Sequence, residues 1–122
     1  PAGGMAAAGV VDLLGGTTEQ MGDALALGIK NLLGLACDPV AGLVEVPCVK
    51  RNGMDAVIAL TAAEMALAGI HSVIPPDEVI DAMGKIGHLL PASLRETSQA
   101  GLAVTPTGRH ITDELRRKLK SE

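Results

Sequence analysis

Residues 34–48 read GLACDPVAGLVEVPC, and this stretch interrupts a chain whose pattern is otherwise helical. Asp38-Pro39 and Val46-Pro47 are X-Pro pairs, which bias the residue before each proline away from the helical conformation. We therefore expect an ordered, non-helical loop here, with helices on both sides of it.

Two helices are predicted before this loop. Residues 5–14 are almost entirely apolar, and the Gly15-Gly16 pair that follows is typical of a helix end. Thr17 stands three residues before Gln20, which is the arrangement of a capping box, in which side chain and backbone satisfy each other's free donors. A second helix should begin there and run to about Leu33.

Three further helical segments are predicted after the loop. Residues 49–68 have helical character and stop at Gly69. Their period is carried by Met54, Val57, Ile58, Thr61, Met65 and Ala68. Residues 77–90 show an apolar stripe of the same period, and residues 113–120 form a charged helix or a frayed tail. Between these two segments, a short helical turn at 91–95 should lead into a polar loop.

The predicted fold class is all-α, a compact bundle of about five to six helices with a proline-containing cysteine loop. No segment alternates as half-buried strands do, and residues 43–46 are the only short strand candidate. Residues 1–122 are expected to form a single domain, since no repeat or linker divides them. Because the chain opens with Pro1 and an Ala/Gly stretch rather than Met, we expect it to be the C-terminal part of a longer polypeptide.

Composition argues against two classes of partner. The chain has no Phe, Tyr or Trp and a formal charge of −4, so it lacks both the stacking platforms and the positive charge that nucleic-acid binding uses. Its apolar runs are interrupted well before the roughly 20 residues of a membrane span. We expect no nucleic-acid or membrane partner and a cytoplasmic location.

Cys37 and Cys48 are the main candidates for chemistry. On one continuous helix they would lie about 16 Å apart, but the prolines between them allow the loop to bring both sulfurs together. Three interpretations remain open: small buried hydrophobes, a disulfide, which a reducing cytoplasm disfavours, or metal ligands.

Metal binding requires more ligands than these two cysteines. Zinc or an iron–sulfur cluster normally takes three or four protein ligands from Cys or His. One of His71, His88 and His110 could complete the set, although none stands at a zinc-finger spacing. We favour a further thiolate from outside this chain.

Several motifs together resemble the iron–sulfur-dependent L-serine dehydratases (L-serine ammonia-lyases). The central motif is GLACDPVAGLVEVPCVKRN at residues 34–52, with MAAAG at 5–9 before it and RETSQAGLA at 95–103 after it. The resemblance covers about residues 2–108. The ending TPTGR at 105–109 looks like that of the separate α chain found in two-subunit members.

The resemblance implies a [4Fe–4S] cluster and no pyridoxal phosphate. Three cysteines would hold the cluster, two of them matching Cys37 and Cys48, while the third belongs to a Gly-Cys-Gln segment upstream of Pro1. The open iron would act as a Lewis acid on the hydroxyl of L-serine, which is converted to pyruvate and ammonia in amino-acid degradation and gluconeogenesis. The expected partner is a β chain or β-like domain, in a homo- or hetero-oligomer that also supplies the catalytic base.

Four residues are candidates for contact with the substrate. Arg51 could bind the substrate carboxylate through its guanidinium fork, or simply be a solvent-exposed charge. Asn52 could donate or accept a hydrogen bond beside it. Thr97 and Ser98 could contact substrate or cluster sulfur, or cap a helix end. Asp38 could orient the loop that presents Cys37, or cap its own turn.

Two alternatives to a serine dehydratase remain. A cysteine desulfidase-like lyase is the nearest alternative among enzymes. In a different class, the chain by itself could be a structural helical module without a cluster, and we expect it to be inactive in isolation.

Overall fold

Five α-helices and three 3-10 turns make up the secondary structure of residues 1–121, which are the residues that the computed structural model describes. The helices are α1 (Ala2–Leu13), α2 (Thr18–Lys30), α3 (Cys48–Leu67), α4 (Pro76–Leu89) and α5 (Pro106–Leu119). The 3-10 turns are Val40–Gly42, Ala92–Leu94 and Gly101–Val104. Apart from one isolated bridge, these residues contain no β-structure, and residues 43–46 are not a strand. The all-α prediction is confirmed.

Helix α2 begins with the predicted capping box. The Gln20 N–H donates to Thr17 Oγ1 over 3.2 Å, and the Thr17 N–H donates to Gln20 Oε1 over 2.9 Å. The helix ends at Lys30, earlier than Leu33. Asn31 follows it and donates its side-chain amide to the Leu27 carbonyl over 2.8 Å, which satisfies one of the carbonyls that a helix end leaves free.

Glycine allows α1 and α2 to pack closely. A Cβ atom on Gly4 would lie 2.7 Å from Ile29 Cγ1, and one on Gly28 would lie 3.2 Å from the Gly4 Cα atom. Both distances are tighter than ordinary contacts, so any larger side chain here would separate the two helices. Gly4 and Gly28 therefore have a packing reason.

Helix α3 buries mainly alanines, and only part of its predicted apolar stripe, such as Met65, packs against the core. Met54 and Val57 are 66% and 57% exposed. The buried positions are Ala59, Ala62, Ala63 and Ala66. They belong to a core cluster with Ala7, Val11, Ala24 and Leu27. Because this core is so tightly packed, only small side chains fit its centre, and periodicity alone does not reveal that.

The residues group into two units. The first comprises Pro1–Gly34 and Gly53–His88, and it contains the alanine-rich core together with a smaller cluster of Ala26, Ile29 and Val79. The second comprises Leu35–Asn52 and the chain from Leu89 onward. The sequence prediction of a single domain over 1–122 stays a prediction.

The second unit is built around short turns and α5. This helix starts at Pro106, where Thr105 Oγ1 accepts a hydrogen bond from the Gly108 N–H over 3.1 Å, so it begins well before the predicted Asp113. It packs against the turns Val40–Gly42 and Gly101–Val104. Among residues 1–121, no helix combines the length and the apolar character needed to cross a membrane.

Candidate functional site

Cys37 lies on an extended segment that pairs with the second sequence motif. Its N–H donates to the Leu94 carbonyl over 2.9 Å, and its carbonyl accepts from the Glu96 N–H over 2.7 Å, which forms a parallel bridge opposite Arg95. The cysteine loop and the RETSQAGLA motif are therefore neighbours, although 58 positions separate Cys37 from Arg95.

Cys48 is the first residue of α3, and the loop between the two cysteines closes on itself. The Val40 N–H donates to the Val46 carbonyl over 2.9 Å, directly before a cis Val46–Pro47 peptide bond. Both thiols are free, and both residues are partly buried. The expected ordered, non-helical loop is confirmed, with one 3-10 turn inside it.

The electrostatic environment of Cys37 opposes its ionisation. Burial raises the pKa of the Cys37 thiol, and the negative charges of Glu96 and Cys48 raise it further, against the opposing effect of Arg51. A bound cation would reverse this balance, because it favours thiolates.

Asp38 is the buried polar residue of this site, with 3% of its surface exposed. Its Oδ1 atom accepts a hydrogen bond from Arg51 Nη1 over 2.8 Å, and its Oδ2 atom accepts one from the Leu102 N–H over 2.7 Å. Burial alone would raise the pKa of Asp38. The hydrogen bonds from Leu102 and Arg51, with the guanidinium charge, outweigh that effect and hold the pKa below its ordinary value.

Arg51 contacts the backbone on the other side of Cys37 as well. Its Nη1 atom donates to the Ala36 carbonyl over 3.0 Å. One nitrogen of the guanidinium therefore bridges the residues that precede and follow the cysteine, while 41% of the side chain is exposed. A fixed guanidinium with an exposed part is compatible with the predicted carboxylate contact, which stays a prediction.

The other predicted substrate contacts lie in different surroundings. Ser98 Oγ donates to the Pro39 carbonyl over 2.6 Å, so Ser98 is held against the cysteine loop. Thr97 Oγ1 donates to the carbonyl of Ala92, the first residue of a 3-10 turn, over 2.9 Å. Asn52 is exposed on α3. Their roles towards substrate stay predictions.

Histidines do not join the cysteines in a ligand group within residues 1–121. His71 Nδ1 lies 2.9 Å from Asp23 Oδ2, His88 Nδ1 lies 2.7 Å from the Gly84 carbonyl, and His110 Nε2 lies 3.6 Å from Glu114 Oε1. In the described part of the chain, no three His, Cys, Asp or Glu residues are grouped as a metal would require. Cys37 and Cys48 are the residues that could hold part of a metal centre.

An open groove of about 990 Å³ lies in the second unit beside these loops. Thr97 and Ser98 form part of one wall, and α5 contributes the charged side chains of Arg109, Asp113 and Arg116. The groove thus places the hydroxyl-bearing residues of the second motif next to accessible space.

Leu102 and Gly101 are neighbours of Asp38 that the sequence did not predict. The Leu102 N–H binds Asp38, and a Cβ atom on Gly101 would lie 2.8 Å from the Asp38 Cβ atom. The available signal was that Gly101 and Leu102 belong to the quoted RETSQAGLA motif, but their 63- and 64-residue separation from Asp38 hid the contact.

Comparison with known proteins settles the family. The family described as "Serine dehydratase alpha chain" matches residues 1–103, which include the cysteine loop and the RETSQAGLA motif. The chain belongs to the serine dehydratase alpha-chain family. The resemblance carried by the sequence motifs is therefore confirmed.

Members of the serine dehydratase alpha-chain family share much of this sequence. A probable L-serine dehydratase alpha chain of Bacillus subtilis is 64% identical over 114 residues, covering 93% of this chain and 38% of that protein. The probable L-serine dehydratase alpha chain of Latilactobacillus sakei is 62% identical over 107 residues, covering 88% of this chain and 51% of that protein. The L-serine dehydratase alpha chain of Peptoniphilus asaccharolyticus is 49% identical over 110 residues, covering 90% and 38%. The chain thus spans between a third and about half of the length of these relatives.

Proposed function

We propose that this chain is part of an L-serine dehydratase (L-serine ammonia-lyase) and supplies Cys37 and Cys48 as ligands of a [4Fe–4S] cluster. The observation that carries the proposal is the closed loop between the two free thiols, which pairs through its backbone with a second family motif. Relatives with the name L-serine dehydratase support the substrate.

The donor set fits two positions of such a cluster. Both candidate ligands are thiols, the groups that iron–sulfur clusters normally use. They are free and partly accessible, and neither is engaged in a disulfide. A third ligand must come from outside the described residues, as the family resemblance implies for a cysteine upstream of Pro1.

The proposed reaction is an elimination followed by hydrolysis. L-serine loses its α-proton and its hydroxyl as water, the resulting enamine rearranges to an imine, and water converts the imine to pyruvate and ammonia. No net oxidation occurs. When bound, a cluster with an open iron supplies a Lewis acid for the substrate hydroxyl, a poor leaving group at neutral pH.

The residues of this chain would bind and orient the substrate. The exposed part of the Arg51 guanidinium would bind the carboxylate, because its position is already fixed by Asp38 and the Ala36 carbonyl. Asn52, Thr97 and Ser98 would contact the remaining polar groups or cluster sulfur. A general base would come from another part of the enzyme.

A β chain or β-like domain is the proposed protein partner. Leu43, Val44 and Val46 lie in the loop between the two cysteines and are 46%, 56% and 38% exposed, an apolar surface that a partner would cover. The names of the relatives as alpha chains agree with this. A cytoplasmic location, a homo- or hetero-oligomeric state and independence from pyridoxal phosphate are further parts of the proposal.

Activity of the full-length enzyme tests the proposal. After anaerobic reconstitution with iron and sulfide, we expect pyruvate from L-serine, with activity lost in Cys37→Ser and in Cys48→Ser. Met54→Ser, which removes an exposed sulfur from the same helix as Cys48, should retain activity. Full activity in both cysteine variants would refute the assignment of the site. Sulfide release from L-cysteine without pyruvate from L-serine would favour the desulfidase alternative.

A further inference from the structure

We propose that Asp38 is a positioning residue that fixes the distance between Cys37 and Cys48 before any metal is bound. The inference rests on the proposed function, because it concerns the geometry of the same two ligands. It goes further by assigning a role to a residue that need touch neither substrate nor iron.

A short path through Asp38 and Arg51 connects the two cysteines. Asp38 directly follows Cys37, and Arg51 lies three residues after Cys48, one turn into α3. The 2.8 Å hydrogen bond between Asp38 and Arg51 therefore links the two ligands through a few covalent bonds and one rigid helical turn. Along the backbone, by contrast, the two cysteines are connected only through the whole loop between them.

Asp38 is also held by a backbone group that belongs neither to the cysteine loop nor to α3. The Leu102 N–H donates to the carboxylate oxygen that Arg51 does not use. This buried carboxylate thus joins the Cys37 loop, the start of α3 and the RETSQAGLA motif. A buried charge with both oxygens bonded has little freedom to move, because any displacement would leave a polar group without a partner.

The backbone at Gly101 lies close against the side chain of Asp38. The φ angle of Gly101 is +63°, a conformation that glycine adopts without the strain other residues experience. A Cβ atom at this position would meet the Asp38 side chain, including its Cβ atom at 2.8 Å. The segment around Gly101 therefore encloses Asp38 closely enough to prevent an alternative position of the carboxylate.

Asp38 and Asp23 form a matched pair for an experiment. Each accepts one hydrogen bond from a distant backbone N–H and one contact from a basic side chain, since Asp23 binds the Ser72 N–H over 2.8 Å and His71 over 2.9 Å. Removing either carboxylate should lower the free energy of unfolding. Only the removal of Asp38 should affect the cysteines.

The experiment compares Asp38→Asn, Asp38→Ala and Asp23→Ala in the full-length reconstituted enzyme. Two quantities are measured: the rate of iron release to a chelator and the hydrogen exchange of the Leu102 and Glu96 amides in the metal-free enzyme. We expect Asp38→Ala to release iron roughly 10- to 100-fold faster, and Asp38→Asn to fall between it and the unmodified enzyme. Both amides should exchange faster in Asp38→Ala, and Asp23→Ala should change neither quantity.

Gly101→Ala disturbs the same carboxylate from the other side and should also accelerate iron release. Iron release at the unmodified rate in both Asp38 variants, or equal acceleration in Asp23→Ala, would overturn the positioning role. Cys37→Ser separates this result from a failure of the proposed function. If Cys37→Ser loses iron while the Asp38 variants keep it, only the inference is wrong; if Cys37→Ser binds iron normally, the proposed function fails as well.

Discussion

The carboxylate of Asp38 and the guanidinium of Arg51 meet at 2.8 Å, and the same guanidinium nitrogen binds the Ala36 carbonyl at 3.0 Å. The backbone on both sides of Cys37 is therefore fixed by one side chain from α3, the helix that Cys48 begins. The cysteine loop is thus held by hydrogen bonds within this chain, from Arg51, Leu102 and the loop's own backbone.

Replacing Arg51 by alanine should destabilise the protein. The change removes two hydrogen bonds and leaves the buried Asp38 carboxylate without its cationic partner, so we expect a loss of about 1–3 kcal/mol in the free energy of unfolding. Urea denaturation followed by circular dichroism measures it. Lys50→Ala, which removes an exposed positive charge from the adjacent position, should change stability by no more than about 0.5 kcal/mol. Equal effects of the two substitutions would contradict the bridging role of Arg51.

Two glycines of α1 should respond in opposite directions to alanine. Gly4→Ala introduces a Cβ atom 2.7 Å from Ile29 Cγ1, so it should lower the free energy of unfolding by about 1–3 kcal/mol. Gly9→Ala meets no atom within 4 Å and should raise it by about 0.5–1 kcal/mol, because alanine favours a helix. Thermal denaturation measures the stability of both variants. A Gly4→Ala variant that is more stable than the unmodified protein would refute the close packing of α1 and α2.

The capping box of α2 gives a third prediction. Thr17→Ala removes the acceptor of the Gln20 N–H, so we expect it to destabilise the protein by about 1 kcal/mol. Thr18→Ala alters the neighbouring exposed threonine without removing the cap and should have a smaller effect. Chemical denaturation of the two variants compares them, and indistinguishable midpoints would show that the cap contributes nothing.

Stability should depend on pH through Asp23. The hydrogen bond from the Ser72 N–H lowers the pKa of Asp23, with help from His71 and Lys30 and against the opposing effect of burial. In the unfolded chain, an aspartate side chain has a pKa of about 3.9. Above that value the carboxylate stabilises the folded state fully. As the pH falls below it, the unfolded chain binds the proton first, and the stabilisation disappears as the pH passes through the lower folded pKa.

The measurement is the difference in unfolding free energy between the unmodified protein and Asp23→Asn. We expect this difference to be largest above the ordinary aspartate pKa of about 3.9 and to shrink over the acidic range below it. A difference that stays constant over that range would show that the folded and unfolded pKa values of Asp23 are equal.

Local sequence signals predicted most of the helices. The capping residues Thr17 and Gln20, the glycines near helix ends and the X-Pro pairs each act over a few residues, so their effect can be inferred without the rest of the fold. The buried face of α3 could not be inferred in this way. The periodic spacing of apolar residues predicts that Met54 and Val57 face the core, but both are exposed. Ala59 and Ala62 face it instead, because their small side chains fit a tightly packed core.

The candidate site, too, could be predicted from the sequence only in part. Cys37, Cys48 and the loop between them could be identified from residue types and prolines. The partners of Asp38 could not, because the contact with Leu102 depends on how two distant loops pack, and the sequence alone favoured capping of its own turn. The hydrogen bond from Thr97 to the Ala92 carbonyl could not be predicted from the sequence either.

The central claim is that Cys37 and Cys48 are cluster ligands, and the most direct test is the content of iron and acid-labile sulfide in the full-length enzyme after anaerobic reconstitution. The account predicts that Cys37→Ser and Cys48→Ser each lose most of both elements, together with the visible absorption of the cluster, whereas Met54→Ser binds as the unmodified enzyme does. Unchanged iron and sulfide in the two cysteine variants would contradict it.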